Sequence, residues 1–368
     1  MAEVDGYDKI VTKFLLNTCR IHRPLNENAL LALNHCAVIA TTARRVRVSP
    51  VPDDENGSIP VTTGSVAELY IQPLLSCVGD VDTMYHFSDE LAIPAGTALP
   101  TQLPDEFHRR VEVYEIVDSE FPGYVYLVSS YLLTECIDDG RYNAVRCLRR
   151  YLTHTTGERS GPADMTEASV PLGLLVGPRV AGTHHSKDTV YCMHCLSWPP
   201  QADVWPTRHR NYDWPDSATV DRVVGNGCDV VYAAHRRCRH DTRMYRLSFS
   251  RAEVVLLNSW IPVQQLAYHM LRVFVKTERL TDSPDNSDVA TLSNYHIKTL
   301  MLWACELNPS SWWIDDLNVV RLSGELLRTL GVWLTDARCP HYFIHNCNLF
   351  DYPDNCNCET ASRLMSET

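Results

Sequence analysis

The hydrophobic periodicity of this chain changes twice, and this restricts its fold more than any other feature. Tyr7, Ile10, Val11 and Phe14 recur at helical spacing. After Pro24 a second helical stretch is expected from about Asn26 towards Arg47, with Leu30, Leu33 and Ala37 on one face. Pro50, Pro52, Asp53, Asp54, Asn56 and Gly57 then form a polar loop. From Val61 to Val128 the pattern shifts to short strands, with Val111, Val113, Ile116, Val117 and the run Tyr124–Val128 as their richest parts. The Gly-, Pro-, Ser- and Thr-rich stretch from Thr155 to Lys187 reads mostly as loop. Beyond Trp205 helical spacing returns. Pro262 opens a helix at its first turn, carrying Leu266, Met270, Val273 and Phe274. Ser293 is expected to cap a helix that runs through Leu300 and Trp303 and stops near Asn308-Pro309. Leu317 to Leu334 is another. Helix, then mixed α/β, then all helix is an α+β order with an α/β lobe and a helical lobe.

The 368 residues suffice for two lobes and a sizeable core. Hydrophobic residues make up 45% and charged residues 21%, the balance of a globular protein. No apolar run approaches the ~20 residues of a membrane-spanning helix. The start, Met1 to Gly6, has neither a basic nor an apolar leader segment, so no secretory signal is expected. The 14 cysteines are scattered; Cys19, Cys36, Cys77, Cys136 and Cys147 lie within or beside apolar stretches, as reduced core cysteines do. A reducing, cytosolic compartment follows. The net charge of −12 argues against indiscriminate nucleic-acid binding, which phosphate contacts dominate.

Thr63-Gly64-Ser65, followed by Cys77-Val78-Gly79-Asp80-Val81-Asp82-Thr83-Met84-Tyr85, is the most informative segment. On a strand, Asp80 and Asp82 project from one face. Carboxylates so close repel unless a cation lies between them. Mg²⁺ or Mn²⁺ suits such oxygen ligands and shares them with substrate phosphates. Gly64 allows close backbone approach, and Ser65 supplies a hydroxyl. Asp188, at the start of the strand-like run to Met193, is the candidate for a third acid.

Further along come Cys195, Trp198-Pro199-Pro200, Ala202, Trp205, Arg208, Arg210 and Trp214-Pro215. Tyr245-Arg246-Leu247-Ser248-Phe249-Ser250 with Ala252-Glu253 follows, then Ser293-Asn294-Tyr295-His296-Ile297-Lys298-Thr299 and Cys339-Pro340-His341-Tyr342-Phe343-Ile344. This ordered series, from about Gly64 to Phe350, resembles the male-abnormal (Mab) twenty-one family, which includes cyclic GMP–AMP synthase and the animal cGAS-like receptors. The resemblance implies a bilobal nucleotidyltransferase with an N-terminal spine helix and a helical C-terminal lobe, placed here at 1–204 and 205–368. It implies that Asp80, Asp82 and Asp188 hold two metals and that Gly64 and Ser65 contact phosphates. Arg246, Ser248 and Glu253 would face the nucleotide from the second lobe, joined by Asn294, and Tyr295 would stack on a base. Three departures bear on this. Asp80 stands where the vertebrate synthase has a glutamate, Asn294 where it has a serine, and His269 where it has a lysine. The zinc-binding insertion of that enzyme is absent, since Arg251 to Leu292 contains no cysteine and only His269.

The expected activity is synthesis of a cyclic dinucleotide from ATP and GTP or other nucleoside triphosphates, read by a downstream cyclic-dinucleotide receptor, with no membrane role. Arg44, Arg45 and Arg47 on the spine helix are the first candidates for a double-stranded RNA surface; Arg236, Arg237, Arg239 and Arg243 form a second basic cluster. The alternatives are a Mab-family scaffold without turnover and an enzyme that tails RNA or makes linear oligonucleotides. Cys192-Met193-His194-Cys195 resembles half a zinc site but reads as core cysteines, and Trp303, Trp312 and Trp313 read as helical-lobe core. His184-His185 and Asn355-Cys356-Asn357-Cys358 read as loop and polar tail.

Overall fold

Alternating apolar and polar residues build a sheet, and amphipathic helices cover it. The computed structural model describes residues 58–63, 81–154, 163–166, 187–238, 240–278, 280, 292–313 and 319–350. The helices expected before Arg47, the arginines Arg44, Arg45, Arg47 and Arg239, Gly64, Ser65, Asp80, His184, His185 and the 355–358 segment lie outside them.

Among the described residues the strands are β1 (Ser58–Thr63), β2 (Val81–Phe87), β3 (Glu90–Pro94), β4 (Arg110–Asp118), β5 (Tyr124–Glu135), β6 (Tyr142–Tyr151), β7 (Ala163–Thr166), β8 (Lys187–Cys195), β9 (Cys228–Val231) and β10 (Met244–Ser248). They form one mixed sheet in the order β1-β2-β8-β3-β4-β5-β10-β9; β6 lies beside β5 and β7 beside β8. β9 also pairs with β8, so the path returns on itself. Two sequence expectations are corrected here. β7 stands inside the stretch read as loop, and β9 and β10 return to the sheet after Trp205, where helix was expected. All three are only four or five residues long, too short to show a period of two.

One inserted residue lets β5 serve two cores. Tyr131 pairs with Val113, whereas Ser129 pairs with Tyr114, which leaves Ser130 as a bulge. Leu133 therefore packs with Leu91, Ile93, Val111 and Val113, while Val125 and Leu127 pack on the opposite side with Tyr114 and Ile116. Ser130 is buried, and its hydroxyl donates to Glu115 at 2.7 Å.

The larger core contains the helices α1 (Ser217–Gly225), α2 (Ser250–Asn258), α3 (Pro262–Thr277), α4 (Asn294–Leu307) and α5 (Val319–Thr335). Asp216 caps α1 by accepting from the Thr219 N–H at 2.7 Å. Pro262 opens α3 as expected, but the fully buried stripe runs through Val263, Leu266, Ala267, Leu271 and Val275. Met270 and Phe274 flank it, because the helix is covered over more than one narrow face. At the start of α4 the Ser293 N–H donates to Nδ1 of His296 at 2.9 Å. Trp313 is buried in this core, and Trp303 and Trp312 pack against it. Among the described residues every cysteine is free, and no helix is long and apolar enough to cross a membrane.

Candidate active site

Sheet register sets four of the sequence-predicted residues, Asp82, Asp188, Arg246 and Ser248, on one face of the sheet. β2 and β8 run parallel with Asp82 opposite Asp188. Residues directly opposed on neighbouring strands share a face of the sheet. Thr63, the last residue of β1, is the partner of Asp82 on its other side. Continuing across the sheet, Cys192 pairs with Val231 and His194 with Asp229; Val231 then pairs with Arg246 and Asp229 with Ser248. The two-residue period places Asp82, Asp188, Arg246 and Ser248 on the same face. Arg246 is exposed there. The half-buried Ser248 hydroxyl lies 3.0 Å from that of Ser250.

On this face lies a buried charged network that sequence reasoning missed. Asp229 is 0% exposed. Nδ1 of His194 lies 2.9 Å from its carboxylate, and Nε of Arg251, in the first turn of α2, donates to it at 3.0 Å. Burial pushes the Asp229 carboxyl up, but Arg251 and His194 more than offset this and hold it below the usual carboxylate range. The pair fastens the start of α2 to the sheet. His86 lies beside it with its ring 5.4 Å from that of His194, and burial first, then Arg251, lowers its pKa to about 4.

Two turns of helix supply the remaining groups. Glu253 on α2 is buried and accepts from Nζ of Lys298 on α4 at 2.8 Å. Lys298 also lies 5.8 Å above the ring of Tyr295. The Tyr295 hydroxyl is 3.1 Å from Nε2 of His341. The backbone N–H groups of Phe343 and Ile344 both donate to Nδ1 of His341, at 3.1 and 3.0 Å. Nδ1 is therefore the bare nitrogen, Nε2 carries the proton, and His341 donates to the tyrosine oxygen. That leaves the Tyr295 O–H proton for another acceptor. Burial, with Arg246 adding to it, lowers the His341 pKa to about 3, so the ring stays neutral. Burial and the nearby Glu253 push the Tyr295 hydroxyl up, so it remains a phenol.

Glu253 and Tyr295 thus both adjoin Lys298, the first through an ion pair and the second through its ring face, whereas Asn294 is exposed at the first position of α4. His269 is 1% exposed inside α3, and burial, with Arg272 beside it, lowers its pKa to about 3. The sequence runs around Tyr295 and Cys339 already contained Lys298 and His341, but nothing in their spacing separated them from their neighbours. Asp229 had no local signal at all, because its partners are 35 and 22 residues away.

Residues 181–259 match the Mab-21 protein nucleotidyltransferase domain, and residues 264–367 match the Mab-21 protein HhH/H2TH-like domain. A curated relative, "Protein mab-21-like" of Aedes aegypti, is 32% identical over 164 residues, covering 42% of this chain and 40% of the relative. The match therefore spans about two fifths of that relative's length.

Proposed function

Because the chain belongs to the Mab-21 family, with the nucleotidyltransferase domain followed by the HhH/H2TH-like domain, we propose that it is an active nucleotidyltransferase that makes a cyclic dinucleotide. The observation that carries this reading is the register of Asp82 opposite Asp188, on the sheet face that also holds Arg246 and Ser248. A scaffold needs no acids at those positions.

Asp80, Asp82 and Asp188 form an all-oxygen donor set, which fits Mg²⁺ or Mn²⁺. Bound divalent ions would neutralise triphosphate charge and make the acceptor hydroxyl more acidic. Gly64 and Ser65 would bind the phosphates through the backbone and the serine hydroxyl. Arg246, Ser248, Glu253, Asn294 and Tyr295 would hold the nucleotide from the opposite wall. A ribose hydroxyl of the acceptor attacks the donor α-phosphate; the P–O bond to the β-phosphate breaks and pyrophosphate leaves. A second transfer within the linear product closes the ring. ATP and GTP are the proposed substrates, double-stranded RNA the activator through Arg44, Arg45 and Arg47, and a cyclic-dinucleotide receptor the downstream partner, in the cytoplasm. The lobes at 1–204 and 205–368 are part of the same proposal.

Incubation with ATP, GTP and Mg²⁺ or Mn²⁺ across RNA and DNA activators tests it, with products separated by size. A compact cyclic product that disappears in Asp80→Asn with Asp82→Asn is expected. Products that lengthen with time indicate tailing instead, and no product under any activator leaves a scaffold.

A further inference from the structure

On the face of the sheet opposite the candidate site, two acids stand side by side without a counter-charge. Glu90 on β3 pairs directly with Glu112 on β4, and this register puts both side chains on one face. Both are half-buried. Glu112 accepts from the Ser129 hydroxyl at 2.8 Å, and among the described residues no Lys, Arg or His pairs with either acid. Like charges so placed repel; burial first, then Asp89 and Glu112, raise the Glu90 pKa to about 7.

Three phenols surround these acids. Tyr114 is two residues beyond Glu112 on β4 and shares its face. Tyr245, next to Arg246 on β10, points away from the candidate site and belongs to the same core as Tyr114. It is 1% exposed, and among the described residues its hydroxyl has no hydrogen-bond partner. A buried phenol usually finds one. The ring of the half-buried Tyr232 lies 5.3 Å from that of Tyr245, and the His154 ring lies 5.7 Å from each. Burial raises the pKa of all three phenols, Tyr232 to about 12, and Glu90 adds to the rise in each, so their oxygens gather around that carboxylate.

We propose that Glu90, Glu112 and the Tyr245 hydroxyl bind a primary ammonium group, carried by a small amine or by a lysine side chain. An ammonium brings three N–H donors and no acceptor. Two carboxylates and one unpaired phenol oxygen receive them, and the neighbouring aromatic rings attract a cation through their faces. A divalent metal is disfavoured as occupant, since among the described residues no group of three or more His, Cys, Asp or Glu could hold one. The exposed parts of Glu90, Glu112 and Tyr232 leave access from solvent.

The test is calorimetric titration of the full chain with n-butylammonium at pH 7. Saturable binding with release of protons is expected, because a cation returns Glu90 to its charged form. Neutral n-butanol should bind at least about tenfold more weakly, and so should tetramethylammonium, which has no N–H to donate. Glu90→Gln with Glu112→Gln should weaken butylammonium binding by at least about tenfold and, by removing opposed like charges, should melt no lower than the wild type. Tyr245→Phe deletes one oxygen and should weaken binding by about tenfold, a second reading if the double variant does not fold. Tighter binding of an octapeptide with one central lysine would place the ammonium on a partner protein; binding of butylammonium at least as tight would place it on a free amine. The proposal is overturned if neither probe binds, if butanol or tetramethylammonium binds equally well, if Mg²⁺ displaces butylammonium, or if the glutamine pair leaves binding unchanged.

Discussion

Replacing Asp229 by asparagine changes one charge and almost no shape. Asp229 is fully buried, while the Arg251 side chain is 20% exposed and that of His194 7% exposed. In the variant, Arg251 faces a neutral amide, and one of the two carboxylate oxygens that accept from it becomes an N–H donor. Removing one member of a buried pair costs about 3–5 kcal/mol, because the other charge stays desolvated. Arg251 can turn partly towards water, which places the cost near the lower end. The hydrogen bond from His194 adds about 1 kcal/mol if it is lost with the change. A loss of ~3 kcal/mol is a large share of a typical folding free energy of about 5–15 kcal/mol. Urea unfolding followed by fluorescence of the buried Trp205, Trp260 and Trp313 reads it directly. The double variant Asp229→Leu with Arg251→Met should recover part of the loss, since it removes the uncompensated Arg251 charge and leaves only the buried His194 and Cys192 groups without their partner. If Asp229→Asn unfolds within ~1 kcal/mol of the wild type, or if the double variant is no more stable than the single one, the account of this network is wrong.

Asp188→Ala should lower nucleotide transfer by several orders of magnitude while leaving the urea midpoint close to wild type; a loss of only a few fold would make it an ordinary strand acid. Burial holds the pKa values of His269 and His341 at about 3 and those of His86 and His296 at about 4. The unfolded chain takes up these protons near pH ~6.5 and the native state does not, so each ring contributes stability that falls away as pH drops below ~6.5, by ~1.4 kcal/mol per pH unit. Glu90, raised by burial and then by Asp89 and Glu112 to about 7, acts with opposite sign as pH rises from ~4.5 towards 7. His341→Gln should therefore flatten the slope of unfolding free energy between pH 4.5 and 6.5, and an unaltered slope would contradict the buried neutral ring. Glutamate at Arg44, Arg45 and Arg47 should weaken activation by duplex RNA together with its salt dependence and spare basal turnover in Mn²⁺; a normal RNA response in this variant would remove the cluster from the activator surface.

Long, one-sided segments were legible in the sequence. Pro262 and Ser293 marked the starts of α3 and α4, and the alternation around Val111 and Tyr124 marked β4 and β5. The Asp188 run became β8, and the pairing of its first turn of sequence with Asp82 is a matter of register. No local pattern specifies register between strands more than 100 residues apart. β9 was invisible for a related reason: all four of its residues are buried, so it has no polar alternation to display. The tautomer of His341 depends on two backbone donors in a turn and one hydroxyl 46 residues away, none of which composition or spacing encodes.

The bulge at Ser130 has a consequence for how this sheet tolerates change. In an uninterrupted strand, deleting a residue slides everything beyond it onto the wrong side. Here the halves of β5 already answer to different neighbours, Leu133 to one apolar group and Leu127 to the other. Removing Ser130 would restore unbroken alternation, so the strand could satisfy only one of them at a time. Lineages that vary in length around this hairpin should therefore do so in the turn at 137–141, where the chain is exposed, and keep the odd residue where it stands.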